Sequence, residues 1–277
     1  MILVSIIVPT LNAHSTLAQC LDSVIGQTLS EKELIVVDAG SADGTIDMIK
    51  TYGPRIDSWV SEPDRGVFDA FNKGIQRARG RWLYFLGADD YLLDEDVLSR
   101  LAPYLRKDPP VARVIYGRVA LVGSGGQPLA LLGEPWDATR KRLSAYLSLS
   151  HQGVFHAREL FVEHGLFDPS YRLSGDYEFL LRELPKRDAL YVPDLIIAGH
   201  RVGGLSSEPG NHTRTLWELR RAQVTHGILI PRPAWIVRLF AAWIRSALVN
   251  LFGHRRGHAI MDFLRALFGK KRHWSQL

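Results

Sequence analysis

Two kinds of apolar run alternate along the first hundred residues. Val4–Pro9, Glu33–Asp38 and Arg81–Leu86 are short, nearly continuous and rich in β-branched or aromatic residues. Such runs predict strands buried on both faces. Between them, apolar residues recur at helical spacing: Leu17, Cys20, Leu21 and Val24 in Ser15–Val24, and Phe68, Phe71 and Ile75 in Gly66–Ala78. A short helix over Asp43–Tyr52 and a third strand at Ser58–Ser61 complete the alternation. Strands alternating with helices predict a mostly parallel sheet covered on both sides.

The pattern then loosens. Val114–Val122 and Leu129–Leu132 flank Gly-Ser-Gly-Gly-Gln-Pro and predict a hairpin. His151–His156 and Ala189–Ile197 read as strands and Asp176–Leu184 as a helix, so the second half is mixed. From Trp217 onward the chain reads as helical, punctuated by Pro231 and Pro233. There Trp235, Ile236, Leu239, Phe240, Trp243, Ala247 and Leu251 form an apolar stripe, with Arg238 and Arg245 off it and a second helical piece at Ala259–Phe268. The expected division is one unit over 1–210, regular to about 110 and mixed over 111–210, followed by a helical appendage over 211–277.

Charge sharpens that division. Residues 211–277 carry 12 Lys and Arg against 2 Asp and Glu, a net of +10, whereas residues 1–210 sum to −5. A basic amphipathic helix bearing Trp and Phe predicts a helix lying on an anionic membrane surface, and packing on the catalytic unit is the plainer alternative. Two arginines within 234–252 argue against a spanning helix. No nucleic-acid recognition module is visible, so nucleic acid is not an expected partner. The single cysteine, Cys20, excludes an intrachain disulfide and favours a reducing compartment. The apolar N-terminal stretch reads as a buried strand, without the basic flank of a signal peptide.

Several chemistries are missing their signatures: there is no Gly-x-Gly-x-x-Gly after the first strand, no Walker loop, no His-Glu-x-x-His and no Gly-x-Ser-x-Gly. What stands out is carboxylates at strand ends: Asp38, Asp64, Asp89 and Asp90. Ligands of open α/β sheets bind outside the carboxyl ends of strands. Oxygen ligands there suit a hard divalent cation shared with phosphates. Each Asp also has a plain role available: Asp38 in opening a turn, Asp43 as a helix cap, Asp89 and Asp90 as caps of a following helix.

The motifs Val-Pro-Thr-Leu-Asn (8–12), Val-Asp-Ala-Gly-Ser-Ala-Asp-Gly-Thr (37–45), Ser-Glu-Pro-Asp-Arg-Gly-Val-Phe-Asp-Ala-Phe-Asn-Lys-Gly (61–74) and Leu-Gly-Ala-Asp-Asp (86–90) together resemble family 2 glycosyltransferases. His-Gln-Gly-Val-Phe (151–155), Ser-Gly-Asp-Tyr-Glu-Phe (174–179) and Gly-Gly-Leu-Ser (203–206) extend the likeness, which is strongest toward bacterial exopolysaccharide enzymes of the colanic-acid type. The resemblance implies a GT-A fold, α/β and Rossmann-like, with 1–210 as the catalytic domain, its nucleotide half to about 110 and its acceptor half over 111–210. It implies an inverting, metal-dependent hexosyltransferase-type enzyme that uses a nucleotide-sugar, a UDP-sugar in preference to a GDP-sugar. The acceptor would be a glycan or a lipid-linked glycan, at the cytoplasmic face of the membrane. By the same resemblance Thr10, Asp38, Asp64 and Asp89 bind the nucleotide-sugar, and Asp90 holds Mg²⁺ or Mn²⁺ with His200 as a further contact. Asp176 is the general base, with Glu178 as its alternative, and His151 and Gln152 line the acceptor side. The motif departs from the family where Gly87 and Ala88 replace positions that often carry an acid. A sugar nucleotidyltransferase and a non-catalytic assembly subunit are the competing readings. The first lacks its Gly-rich, Arg-containing loop after strand one, and the second is disfavoured by the presence of Asp90 and Asp176.

Overall fold

The computed structural model describes residues 1–267 apart from 109, 124, 147–148, 205–210 and 232. The predicted Gly203–Ser206 loop therefore lies outside the described residues from 205 onward, as do the end of the second helical piece at Phe268 and the side chains of Arg238 and Arg245.

The strands are β1 (Val4–Thr10), β2 (Lys32–Asp38), β3 (Ser58–Ser61), β4 (Trp82–Phe85), β5 (Tyr91–Leu92), β6 (Val114–Val122), β7 (Pro128–Leu132), β8 (Val154–Ala157) and β9 (Leu190–Arg201). They form one sheet in the order β3-β2-β1-β4-β8-β6-β9-β5, with β7 pairing the end of β6 over Val119–Val122. The first four strands are parallel, and beyond β4 the sheet becomes mixed. The helices are α1 (Leu17–Ile25), α2 (Thr45–Tyr52), α3 (Val67–Arg77), α4 (Val97–Leu105), α5 (Trp136–Leu143), α6 (Arg158–His164), α7 (Gly175–Glu183), α8 (Asn211–Thr225) and α9 (Pro233–Leu267), the last broken at Gly253.

Two apolar clusters cover the two faces of the sheet. One joins α1, α2 and α4 to Val4, Ile6 and Val8 of β1, which point one way along the strand. The other joins α3, α6, α7 and α8 to Ile7 of β1 and to Leu83 and Phe85 of β4, which point the other way. Phe71, Phe85, Phe161, Phe167 and Phe179 interlock in the second cluster, with ring centroids 4.4–6.0 Å apart.

Alignment of the parallel strands places the site. Thr10 pairs with Asp38 across β1–β2, and Asp38 with Ser61 across β2–β3, so three motif residues stand in one row at the carboxyl ends. On the other side of β1, β4 leads into Gly87–Asp90 at the same end of the sheet. The two-residue β5 then pairs with β9, Tyr91 opposite Gly199. That pairing carries His200 and Arg201 to Asp90 across more than a hundred residues of chain.

Across the expected boundary at residue 210 packing is continuous: helix α8 buries Leu216, Leu219 and Ala222 in the second cluster. At the start of α9, Trp235 and Leu239 pack on the same cluster, and the Trp235 indole N–H donates to the Leu216 carbonyl at 3.2 Å.

Candidate active site

The loop after β1 is locked to the loop after β2. The Asn12 amide donates to Ser41 Oγ, and Asn12 Oδ1 accepts from the Ala42 amide. Asn12 has a φ of 50°, a left-handed conformation that Asn tolerates better than most residues. Asp43 accepts from the amide and hydroxyl of Thr45, the first residue of α2, but the N-cap itself is Gly44 and not Asp43.

Asp38 is fully buried. It accepts from the amides of Gly40 and Ser41 and from the hydroxyls of Ser41 and Ser61. Its carboxylate holds the loop, and the adjacent Ala39 rather than Asp38 lines the cavity beyond it.

That cavity has a volume of about 750 Å³ and is walled by Pro9–Ala13, Asp64, Gly66, Gly87–Asp89 and Arg172. The buried Thr10 hydroxyl lines it without a hydrogen-bond partner. A buried unpaired hydroxyl is costly unless a ligand completes it. Asp64 accepts from the Gly66 amide at 2.8 Å and shapes the turn into α3.

A second cavity, of about 210 Å³, shares Pro9, Val67, Gly87, Asp89, Arg172 and Leu173 with the first. It collects Asp89, Asp90, His151, Gln152, Asp176 and His200 around one space. Asp90 is 2% exposed, and its Oδ1 accepts from the Arg201 amide and bonds His200 Nδ1, both at 3.0 Å. Neither Asp89 nor Asp90 caps the next helix, which begins at Val97 after Asp96. Burial and then the neighbouring Asp90 charge raise the Asp89 pKa. Burial acts to lower His200, but its bond to Asp90 and the Asp90 charge outweigh that and leave its pKa raised. Asp89, Asp90 and His200 stand together in the lining of this cavity. Gly87 is required beside them: a Cβ there would lie 2.8 Å from Asp89 Oδ1 and 2.9 Å from Asp90 Oδ2. Cys20 supports the same loop, its thiol donating to the Gly87 carbonyl at 3.4 Å. Burial, then Asp90 and Asp89, hold that thiol protonated.

Asp176 stands in the first turn of α7. Its Oδ1 accepts from the Tyr177 amide at 2.8 Å, and its Oδ2 lies 3.8 Å from His151 Nδ1. Burial raises the carboxyl pKa, with His151 pulling the other way. Both His151 nitrogens are buried and unpartnered while the ring stacks on Phe71 and Phe85. Burial lowers the His151 pKa, so the ring is neutral near pH 7. The Gln152 carbonyl accepts from the Tyr84 hydroxyl at 2.7 Å.

The alternative base, Glu178, is corrected: it is bound by Arg182 and by His226 and lines neither cavity. Among the described residues a compact group of metal-ligand types occurs at Glu163, His164 and Glu183. Arg113 fills that group with ion pairs to both glutamates, so it is a charge network and not a vacant metal site. The sequence motifs did not single out Arg172, from the loop before α7, or Asn211 and Arg214 of α8, which also line the larger cavity. Only the basic character of the tail hinted at Arg214.

A curled mixed sheet with the acidic site at its carboxyl ends defines a GT-A type of transferase. The family model "Glycosyl transferase family 2" matches residues 5–151. A PGL/p-HBAD biosynthesis glycosyltransferase of Mycobacterium bovis is 35% identical over 208 residues, covering 73% of this chain and 78% of that one. The chain belongs to glycosyltransferase family 2. Pasteurella multocida chondroitin synthase is 30% identical over 184 residues but is matched over only 18% of its length. Solved structures agree on the fold. S. aureus TarS in complex with UDP-GlcNAc superposes with a TM-score of 0.63 at 15% identity, over 99% of this chain and 90% of that one. Another TarS chain is covered over only 54% of its length. The mannosyltransferase PcManGT from Pyrobaculum calidifontis, in complex with GDP-Man and Mn²⁺, gives 0.61 at 18% identity, over 95% and 75%.

Proposed function

We propose that this chain transfers a sugar, with inversion, from a nucleoside-diphosphate donor to a hydroxyl of a glycan or lipid-linked acceptor. The observation that carries this reading is the lining the two cavities share: Asp89 faces both, and the smaller one also collects Asp90, His200 and Asp176. The larger cavity takes the nucleotide, with Thr10, Asp64 and Asp89 in its wall and the Asp38 loop behind it. A uridine donor is preferred and a guanosine donor is the alternative, since structural neighbours were solved with UDP-GlcNAc and with GDP-Man.

The residues fit a divalent cation. Two adjacent carboxylates, Asp89 and Asp90, and the His200 imidazole line one cavity, and Asp90 and His200 would hold the ion. When bound, Mg²⁺ or Mn²⁺ stabilises negative charge on a departing diphosphate. Asp176 takes the proton of the acceptor hydroxyl as its oxygen attacks the anomeric carbon. The bond from that carbon to the diphosphate breaks, and its electron pair leaves with the diphosphate oxygen. Neutral His151 beside Asp176, together with Gln152, forms the acceptor side.

The tail supports a peripheral membrane position at the cytoplasmic face. Trp235 and Leu239 dock α9 on the catalytic unit, while Phe240 and Trp243 are 63% and 67% exposed. Among the described residues no helix is long and apolar enough to cross a membrane. A surface-lying helix suits an acceptor anchored in lipid.

The test is release of nucleoside diphosphate across a panel of UDP- and GDP-sugars, with Mg²⁺ or Mn²⁺ and a membrane lipid extract. One donor is expected to support release that requires both acceptor and cation. Asp90→Ala is expected to lower it by roughly two orders of magnitude, the scale of lost charge stabilisation at the leaving group. Full turnover by that variant would remove the metal assignment.

A further inference from the structure

Helix α8 lies outside the span matched by the family model, yet it reaches the centre of the site. Its Glu218 is only 8% exposed. Oε2 accepts from the amides of Leu173 at 2.8 Å and Ser174 at 3.0 Å, and the Arg172 amide is shared by both carboxylate oxygens at 3.1 Å. Three consecutive amides therefore converge on one carboxylate supplied by another helix. Bonds of this kind, to a charged acceptor, are about twice as strong as neutral ones.

The clamped segment matters because of what it carries. Arg172 and Leu173 line both cavities, and Ser174 precedes α7, two residues before Asp176. The Arg172 guanidinium crosses to the Arg65 carbonyl, in the turn that Asp64 shapes at the donor cavity. Gly175 cannot take a side chain, because a Cβ there would lie 2.9 Å from the Phe68 ring. Helix α7 is thus seated against α3 on one side and held by Glu218 on the other. One turn before Glu218, Arg214 lines the donor cavity with its Nε 3.4 Å from Glu218 Oε1.

We infer that Glu218 is a positioning residue for sugar transfer: by gathering the amides of Arg172–Ser174 it fixes the start of α7 and so sets Asp176 toward the acceptor hydroxyl. Helix α8 then belongs to the reacting centre and not to the appendage. The inference rests on the transferase reading above. A plain packing role for Glu218 would cost stability alone, whereas a positioning role lowers turnover in enzyme that is fully folded and still binds nucleotide.

The experiment compares Glu218→Gln and Glu218→Asp in the full chain. Transfer kinetics are measured with the donor found active, UDP or GDP binding by calorimetry, and folding by thermal melting. Glu218→Gln keeps the shape and loses the charge. Its kcat is expected to fall roughly 10- to 100-fold, the range of a charge-assisted hydrogen bond, with the nucleoside diphosphate Kd within about threefold of wild type. Glu218→Asp keeps the charge but withdraws it by one methylene, and an intermediate loss is expected. Unchanged kcat per folded molecule in both, with only the melting temperature lowered, would overturn the inference. If Glu218→Gln does not fold, Glu218→Asp decides alone: reduced kcat supports the inference and wild-type kcat overturns it. An active wild type and an inactive Asp176→Asn beside an unaffected Glu218→Gln would remove this inference and leave the transferase reading standing. A wild type inactive on every donor would remove that reading and the inference with it.

Discussion

At the scale of single residues, the site is set by what stands next to each carboxylate. Asp89 and Asp90 are neighbours in the chain, but Asp90 is tied to His200 and to the Arg201 amide while Asp89 faces both cavities. The motif announces two adjacent acids at a strand end; it does not announce the histidine, whose approach depends on a distant strand. Nor does it explain Gly87, which reads from sequence as a missing acid. In the structure it is the residue that leaves room for the two carboxylates. Gly87→Ala is therefore expected to lower cation-dependent turnover about tenfold or more while leaving the fold intact, checked by activity against Mn²⁺ concentration and by melting. Wild-type cation dependence in that variant would contradict the crowding argument. Asp176 yields a pH prediction. Burial raises its pKa above that of an ordinary carboxylic acid, and the base must be ionised to act. Transfer is expected to fail as the pH drops through that raised value, so the acid limb of the kcat profile lies above the usual Asp range near 3.9. An acid limb at or below that range would contradict burial as the controlling influence.

At the scale of elements, the sequence was legible where one period ruled. The buried parallel strands and the amphipathic α1 and α3 fall where their apolar spacing puts them, within a few residues at the ends. The sequence reading places a helix after Leu93 without bounds, and none at α5 or α6. Helix α4 buries Val97, Leu98, Leu101, Ala102 and Leu105 at helical spacing despite its interior Pro103, whereas α5 buries only Thr139 and Leu143 and α6 has seven residues, so neither of these displays a sustained stripe. Strand β5 is too short to leave any pattern, yet its pairing with β9 places His200. Gly199 sits opposite Tyr91, and a Cβ on it would approach that ring to 2.4 Å. Gly199→Val is expected to separate β5 from β9 and cost about 1–3 kcal/mol of stability, the range for an overpacked site, with a loss of turnover larger than the unfolded fraction explains. Denaturant unfolding combined with kinetics tests this, and normal turnover per folded molecule would show that β5–β9 pairing does not place the site.

At the scale of the whole molecule, charge and apolar surface are separated along the chain. The strand-end carboxylates lie within residues 1–210, whereas the net positive charge belongs to residues 211–277, whose Arg214 reaches the larger cavity. Sequence periodicity could not divide the α9 stripe, because one period serves both packing and exposure. The structure divides it: Trp235 and Leu239 face α8, whereas Ile236, Phe240, Trp243 and Leu251 are exposed. The α8 boundary was illegible for a related reason, since its apolar residues look like any amphipathic helix until Leu216, Leu219 and Ala222 are seen in the core. Phe240→Asp and Trp243→Asp are each expected to weaken binding to anionic lipid vesicles about tenfold, the scale of burying one aromatic side chain, without changing turnover of a water-soluble acceptor. Binding should also weaken with added salt. Sedimentation with vesicles measures both effects, and unaltered binding would assign the exposed stripe to something other than lipid.

The central claim is that Asp176 removes the acceptor proton in the cavity that Asp89, Asp90 and His200 also line. Its most direct measurement is Asp176→Asn, assayed for nucleoside-diphosphate binding, sugar transfer and thermal melting in one preparation. Binding is expected to stay within about threefold of wild type while transfer falls by a factor of roughly 10²–10⁴, the contribution of a positioned base. The melting temperature is expected to rise. A buried carboxyl with a raised pKa favours folding only while it is protonated, and that stability is lost as the pH climbs through its pKa; the neutral amide avoids the loss at pH 7. An Asp176→Asn variant that binds nucleotide and still transfers sugar at the wild-type rate would contradict the account.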